Sequence, residues 1–531
     1  MIWLPATQAN HSAAFFDADS AARWLAGQPQ ANATAMLAGL PAQIESFNTC
    51  RVPPSERFAA LEVLRKTSFA VSGDSQRRYE HRALPLLPAE QLAFDQTRRL
   101  WRACAQAYRH CLSTSLDNDP ALADQRALVA HRVLSCLRQE QLSCYLAGAE
   151  LDDDFWAILH SLWVAAETSG ITRQPIADRL LGETSESTVS GQYAMVLLLN
   201  LARPYTLSRA QFSAAIRWFS RWRELAKVLR TPETPPESFA VALDLSSAAP
   251  ADDPLNDVAG GVHWLVLDRV LRKMRERQRQ LANGESPESL KLGSGLSSTE
   301  CAALLTALLD RLTHPVAGET ADDGESIVLA VGLENAYRLL GGASLRDEVA
   351  SSSFASQLVV DQLAVFGHVV RDTEVSGDHA SELWRMVSRD ADQLQLIRGA
   401  ADGARLALRN VLAIRLPSDG RLLLATVSSL CSRRDGRLCI SASVLAGKPA
   451  PLLAEVREKP AGKVSRHPTI LLTAESDPAG HAVPQVFLPV GVPGRALAIL
   501  FFDCRGEPLP GLVLADCVAH GGDSERWTVA C

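Results

Sequence analysis

The feature that most constrains this chain is a change of character along its length. Residues 1 to about 230 are dominated by Ala, Leu, Arg and Gln, all good helix formers. Apolar residues recur there at three- and four-residue spacings. Leu100, Trp101, Cys104, Tyr108 and Cys111 make one stripe, and Phe155, Leu159, Leu162, Trp163 and Ala166 make another. Such stripes predict helices that bury one face. Ser208 precedes a further periodic run through Leu229, carrying Phe212, Ile216, Phe219 and Leu225, and reads as a helix start. Asp152-Asp153-Asp154 stands just before the second stripe. Three carboxylates in that position read as N-cap and first-turn residues rather than as a metal cluster.

From residue 384 onward the pattern is β. Short apolar runs recur at Leu406–Leu416, Leu422–Ser428, Leu438–Leu445, Thr469–Thr473, Gln485–Leu488, Ala496–Phe502 and Leu512–Val518. Breaks such as Pro417-Ser418-Asp419-Gly420 and Arg434-Asp435-Gly436 separate them, which predicts small barrels or a sandwich. Lys459–His467 reads as a seam between two β units. The stretch between the two regimes is mixed. It opens on the linker Thr231-Pro232-Glu233-Thr234-Pro235-Pro236, then gives a short strand at Phe239–Leu245. A basic helix over His263–Ala282 follows, with its arginines on a solvated face, and then a helix at Ser298–Leu312. Glu325–Leu333 is a strand, followed directly by a helix over Asn335–Leu340 and a Gly341-Gly342 stop. The expected fold class is therefore multidomain α+β. It comprises a helical domain over 1–230, a mixed α/β region over 231–383, a β-barrel over 384–458 and a second small barrel-like β unit over 459–531.

Composition narrows the function by exclusion. The chain of 531 residues has a net charge of −7, with no overall footprint for nucleic acid or anionic membrane. Its 11 Cys include no CxxC pair, which argues against a disulfide scaffold or zinc ribbon and suits a reducing cytoplasm. Cys104 and Cys111, on one apolar stripe, read as buried thiols. The start, Met1-Ile2-Trp3-Leu4-Pro5, lacks the basic and apolar regions of a signal peptide, and no apolar run reaches the ~20 residues of a membrane helix. P-loop, zincin and nucleophile-elbow motifs are absent. Gly521-Gly522-Asp523-Ser524-Glu525 is similar to a diguanylate cyclase signature, but only six residues follow it, so it reads as a hairpin turn. Trp101-x-x-Cys104-x-x-x-Tyr108 and Trp156-x-x-Leu159-x-x-x-Trp163 are each similar to one helix of a tetratricopeptide unit. Their separation is not the ~34 residues of that repeat, so they read as helical-hairpin packing.

One stretch carries a more specific resemblance. From Glu382 the chain reads ELWRMVSRDADQLQLIRG and continues ALRNVLAIRLPSDGRLLLATVSSLCSRRDGRLCISASVLAG. It resembles the PilZ-type β-barrel, in the setting of large bacterial proteins with a helical N-terminal region. The resemblance covers about 384–456, with 325–333 as an opening strand split off by a helical insertion. It implies a six-stranded barrel that binds cyclic di-GMP and alters contacts with a partner. Such domains supply RxxxR ahead of the first strand, where guanidiniums meet phosphate and guanine, and [D/N]xSxxG on the next strand and turn. Here the second motif falls on Ser388-Arg389-Asp390-Ala391-Asp392-Gln393, with Ser388, Asp390 and Gln393 in place of the standard residues. The first should lie near 313–326, where there is no Arg but Glu319, Asp322, Asp323 and Glu325 stand instead. Carboxylates there repel a dianionic ligand.

The leading expectation is a non-enzymatic cytoplasmic regulator or adaptor in cyclic di-GMP-related signalling, acting through protein contacts. The alternative is a cyclic di-GMP receptor with a non-standard arginine site between domains. Its candidate ligand residues are Arg385, Ser388, Arg389, Asp390, Gln393 and Arg398, and it predicts a basic pocket beside Trp384 and Arg389. An enzyme using Asp390 and Asp392 as acid and base is the weakest reading. No metal, nucleic-acid or membrane-insertion site is expected.

Overall fold

The computed structural model describes residues 13–116, 120–181, 186–230, 239–245, 263–314, 324–342, 381–390, 392–399, 403–417, 419–458, 464–473 and 483–530. Two compact units emerge. One comprises Met1–Arg82 and Leu86–Glu319; the other comprises Ala83–Pro85 and Thr320–Cys531.

The first unit is built on helices α1 (Ala18–Ala26), α2 (Ala33–Thr49), α3 (Pro54–Gln76), α4 (Pro88–Leu116), α5 (Arg126–Ala147) and α6 (Asp153–Thr168), then α7 (Val189–Leu201) and α8 (Arg209–Trp222). A two-stranded ribbon, β1 (Ile176–Ala177) with β2 (Glu186–Ser187), lies between α6 and α7 in the sequence. The predicted stripes are buried: Leu100, Trp101, Tyr108, Phe155, Leu159 and Trp163 all enter one core. Cys104 and Cys111 are buried with them. Asp152 caps α6, its carboxylate accepting from the Phe155 amide at 2.9 Å. Ser208 caps α8 in a reciprocal box with Gln211. Helix α5 is unusual. It is buried almost all round, yet carries His131, Arg132, Arg138, Glu140 and Gln141 among its buried residues. Polar groups so placed need internal partners.

The mixed middle region is not a separate body. Strands β3 (Lys227–Leu229), β4 (Ala240–Leu243) and β5 (His263–Val266) form an antiparallel sheet in the order β3-β5-β4. Val228, Val241, Leu243 and Leu265 join the helical core, as do apolar residues of α9 (Asp268–Ala282) and α10 (Ser298–Thr313). Their apolar faces have no other core, so the chain stays with the helical unit through Glu319. The basic helix also begins later than expected. His263–Val266 is the central strand of its sheet, and its continuous apolar run fits a strand as well as a helix. The arginines expected on an outer face are placed so: Arg269, Arg272, Arg275 and Arg279 are exposed. The linker at 231–236 lies outside the described residues.

The second unit contains the six-stranded barrel. Its strands are β6 (Glu325–Val331), β7 (Glu382–Arg389), β8 (Gln393–Arg398), β9 (Val411–Arg415), β10 (Leu422–Ser432) and β11 (Leu438–Val444). They close in the order β10-β11-β8-β7-β6-β9, every pairing antiparallel. The split opening strand is in place, with β6 between β7 and β9. A second sheet follows: β12 (Lys448–Glu458), β13 (Val464–Thr473), β14 (Gln485–Pro489), β15 (Ala496–Phe502), β16 (Val513–His520) and β17 (Ser524–Ala530), ordered β15-β12-β13-β14-β17-β16.

Two expectations are corrected here. Lys448–Glu458 does not belong to the barrel, because β12 pairs with β13 and β15. Gly447 makes the turn, at φ +131°, where a Cβ would come within 2.6 Å of the Thr473 carbonyl oxygen. The second β element is also an open sheet with edges at β15 and β16, not a closed barrel. Barrel and sheet share a core. Ala330, Val411, Ala413 and Leu424 pack with Ala336 and Tyr337 of α11 (Leu333–Leu339) and with Ile470, Leu472 and Phe487. The Gly521–Asp523 turn joins β16 to β17 as predicted. Its Asp523 carboxylate accepts from the Leu333 amide at 2.7 Å and the Val411 amide at 3.2 Å.

Candidate ligand-binding cleft

Strand alternation decides which barrel residues face outward. On β7, Trp384 is buried while Leu383 and Arg385 are exposed. The register slips between Met386 and Ser388, a bulge that re-aims the end of the strand. Gly324 sits against this bulge, where a Cβ would lie 2.4 Å from the Met386 carbonyl oxygen. Beside the bulge is a cleft of about 290 Å³ lined by Ser326, Leu383, Trp384, Arg385, Val387, Ile397, Gly399 and Arg437. No carboxylate is among these residues.

The two lining arginines arrive from different elements, a strand and a turn. Arg385 pairs across the sheet with Ser326 on one side and Ile397 on the other. Arg437 enters at the β10–β11 turn, where its Nε donates to Asp435 Oδ2 at 2.5 Å and its amide donates to Oδ1 at 3.0 Å. That amide, with the guanidinium, holds the Asp435 carboxyl below the usual carboxylate range. Two arginines lining one cleft with apolar Leu383 and Val387 form a surface suited to an anion carrying a flat or apolar group.

The expected ligand residues do not converge on this cleft. Arg385 lines it. Ser388 is half-buried beyond the bulge, opposite Gln395. Arg389 and Asp390 are exposed at the end of β7, and the Asp390 amide donates to the Gln393 carbonyl at 2.8 Å, closing a tight hairpin. Gln393 is committed elsewhere. Its Nε2 donates to Ser443 Oγ at 2.7 Å, and Ser428 Oγ donates to its Oε1 at 3.3 Å, tying β8 to β11 and β10. Arg398 is buried. It donates to Glu382 Oε2 at 2.7 Å and to the Ala404 carbonyl at 3.0 Å, and its guanidinium covers the Trp384 ring 5.2 Å from the centroid. Trp384 Nε1 and the Ala404 amide also donate to Glu382. Arg398 therefore braces the barrel, and the Trp384 ring is no stacking platform.

Asp390 and Asp392 are exposed and neither lines the cleft, so they make no acid–base pair there. Most of the predicted RxxxR segment, 315–323, lies outside the described residues. Sequence reasoning missed Arg437. The signal available for it was the Arg434-Asp435-Gly436 break, which marks a turn at the barrel rim.

Comparison with known families then bears on the helical unit rather than the barrel. Residues 19–233 match the family model for the cyclic-di-GMP receptor FimW, N-terminal domain. This chain is thus similar to that receptor domain over most of its first helical stretch. No curated protein and no solved structure matches the chain. Among the described residues no helix is long and apolar enough to cross a membrane, and no His, Cys, Asp and Glu group could hold a metal ion.

Proposed function

We propose that the chain is a non-enzymatic regulator in cyclic di-GMP-related signalling that acts in the cytoplasm and delivers its output through protein contacts. Its PilZ-like barrel meets the dinucleotide at the cleft between Arg385 and Arg437. The observation that carries this reading is that Arg385 of β7 and Arg437 of the β10–β11 turn line one cleft with apolar Leu383 and Val387, and no carboxylate lines it, although Arg437 also holds Asp435. The resemblance of residues 19–233 to a cyclic-di-GMP receptor domain supports the same signalling class. Isothermal titration of cyclic di-GMP into the full chain tests it. Saturable micromolar binding that Arg385→Ala and Arg437→Ala each weaken is the expected result.

A second reading is an adaptor with no nucleotide. It is favoured by the commitment of Gln393 and Arg398 to contacts within the barrel. Absence of binding in the same titration selects it.

A further inference from the structure

The wall of the barrel carries two thiols on directly opposed residues. Cys431 of β10 and Cys439 of β11 are partners in an antiparallel ladder. Opposed residues send their side chains to the same face of a sheet. Here that face is the outer one: Leu430, Leu438 and Ile440, which alternate with the cysteines, are buried, whereas Cys431 and Cys439 are half-buried. The hairpin also fixes the kind of pair. The Arg433 amide donates to the Arg437 carbonyl at 2.8 Å. Two residues further along each strand, alternation makes Cys431 and Cys439 a hydrogen-bonded pair as well, with Cα atoms about 5.5 Å apart. A disulfide accepts Cα separations of roughly 4.4–6.8 Å.

The pair continues the row of residues that forms the cleft. Cys439 is opposite Ile397, Ile397 is opposite Arg385, and Arg385 is opposite Ser326. Ile397, Arg385 and Ser326 all line the cleft, as does Arg437, two residues before Cys439 in the chain. Elsewhere Cys50, Cys104, Cys111, Cys136, Cys144 and Cys301 are buried, out of reach of a dissolved oxidant.

We propose that Cys431 and Cys439 are a redox modification site, joined reversibly by an intramolecular disulfide when a low-molecular-weight disulfide such as glutathione disulfide is the oxidant. One cysteine thiolate attacks a sulfur of the oxidant, forming a mixed disulfide and expelling a thiolate. The second cysteine thiolate attacks the protein sulfur of that mixed disulfide, forms the Cys431–Cys439 bond and expels the other thiolate. Two electrons pass to the oxidant, and the two protons given up by the cysteines end on the two released thiols. Opposed Cβ atoms lie about 4.5–5.5 Å apart, and a disulfide holds them at roughly 3.5–4.5 Å. Closing the bond therefore draws the two strands together at the base of the turn that carries Arg437. A bond closed against that resistance is readily reduced, which is the property of labile, regulatory disulfides. In a reducing compartment such a bond is transient and redox-sensing. This inference does not depend on the function proposed above.

The test uses the full chain, incubated in glutathione disulfide, blocked with an alkylating agent and run on a gel without reductant. The monomer band is then cut with trypsin, still without reduction. Trypsin cleaves at Arg433, Arg434 and Arg437, between the two cysteines, so the bond is read by mass as two linked peptides. The expected result is linked peptides from most chains, with alkylation of Cys431 and Cys439 lost together and restored together by excess reduced glutathione. Cys431→Ser should leave Cys439 carrying one glutathione, because no second thiol resolves the mixed disulfide. Three results would overturn the proposal: both thiols still alkylated after oxidation, mixed glutathione disulfides that persist on the unaltered chain, or either cysteine linked instead to Cys504, Cys517 or a second copy of the chain. The linked peptides are read on the unaltered chain, so the outcome stands even if the variant fails to fold.

Discussion

Arg398 and Glu382 form a buried ion pair at 2.7 Å, with side-chain exposures of 5% and 11%, under which the Trp384 ring is held. Removing Arg398 leaves the Glu382 carboxylate largely buried without its counter-charge, held only by the Trp384 and Ala404 donors. Arg398→Ala should cost the barrel ~3–5 kcal/mol, measured by urea denaturation of the full chain. The pair joins β7 to β8, so the loss should appear as unfolding of the second unit and leave the melting of the first unaltered.

Arg385 is the opposite case, exposed and lining the cleft. Arg385→Ala should shift stability by no more than ~0.5 kcal/mol. It should weaken dinucleotide binding by ~10-fold or more, the usual scale of a charge-assisted phosphate contact. A large loss of stability would mean that Arg385 braces the barrel as Arg398 does.

Asp523 caps two amides that have no helix or strand partner on that side, those of Leu333 and Val411. Asp523→Ala should cost ~1–3 kcal/mol, and Asp523→Asn, which keeps one acceptor, less. Gly521→Ala should also destabilise, because its Cβ would stand 2.7 Å from the Arg409 carbonyl oxygen. Denaturant midpoints of the three variants check both statements.

Acid sensitivity should arise largely in the helical unit. Burial pulls His131 down to about 3, and burial with Arg57 beside it pulls His110 down to about 4, from an ordinary 6.5. Folded, both stay neutral while the unfolded chain takes up protons. Stability is therefore full above pH 6.5 and falls toward pH 4 by up to ~1.4 kcal/mol per pH unit for each histidine. Asp178 acts lower. Burial pushes its carboxyl up, but the Arg65 hydrogen bond and the Arg132 charge bring it below 3.8, so its contribution fades only under that value. A double His110→Asn, His131→Asn variant should flatten the pH 4–6.5 slope and leave the decline below pH 4 intact.

Much of the fold was legible because its signals are local. The stripes through Trp101 and Trp163 have helical period, Asp152 and Ser208 sit where caps belong, and Glu325–Val331 is a continuous apolar run of strand length. The long-range commitments were not legible. Nothing near Arg398 announces Glu382 as its partner, and nothing in Gly521–Glu525 beyond a turn signal announces that Asp523 reaches Leu333. The same holds for the site. Arg385 was named from its place beside a degenerate motif, but Arg437 joins it only through strand pairing. Gln393 was a candidate ligand residue until its bonds to Ser443 and Ser428 took it into the barrel wall. His263–Val266 misled for another reason: a strand buried on both faces has no alternation to betray it.

The core shared by Val411, Tyr337 and Phe487, fastened by Asp523, has a practical corollary for anyone cutting or transplanting this protein. A fragment ending near 456 would keep the six barrel strands but lose β13 and β14, uncovering Tyr337 and removing the acceptor for Leu333. A piece from about 320 to the end of β17 keeps barrel and sheet together but still loses Ala83–Pro85, which belong to the same unit and whose Leu84 bridges to Leu406.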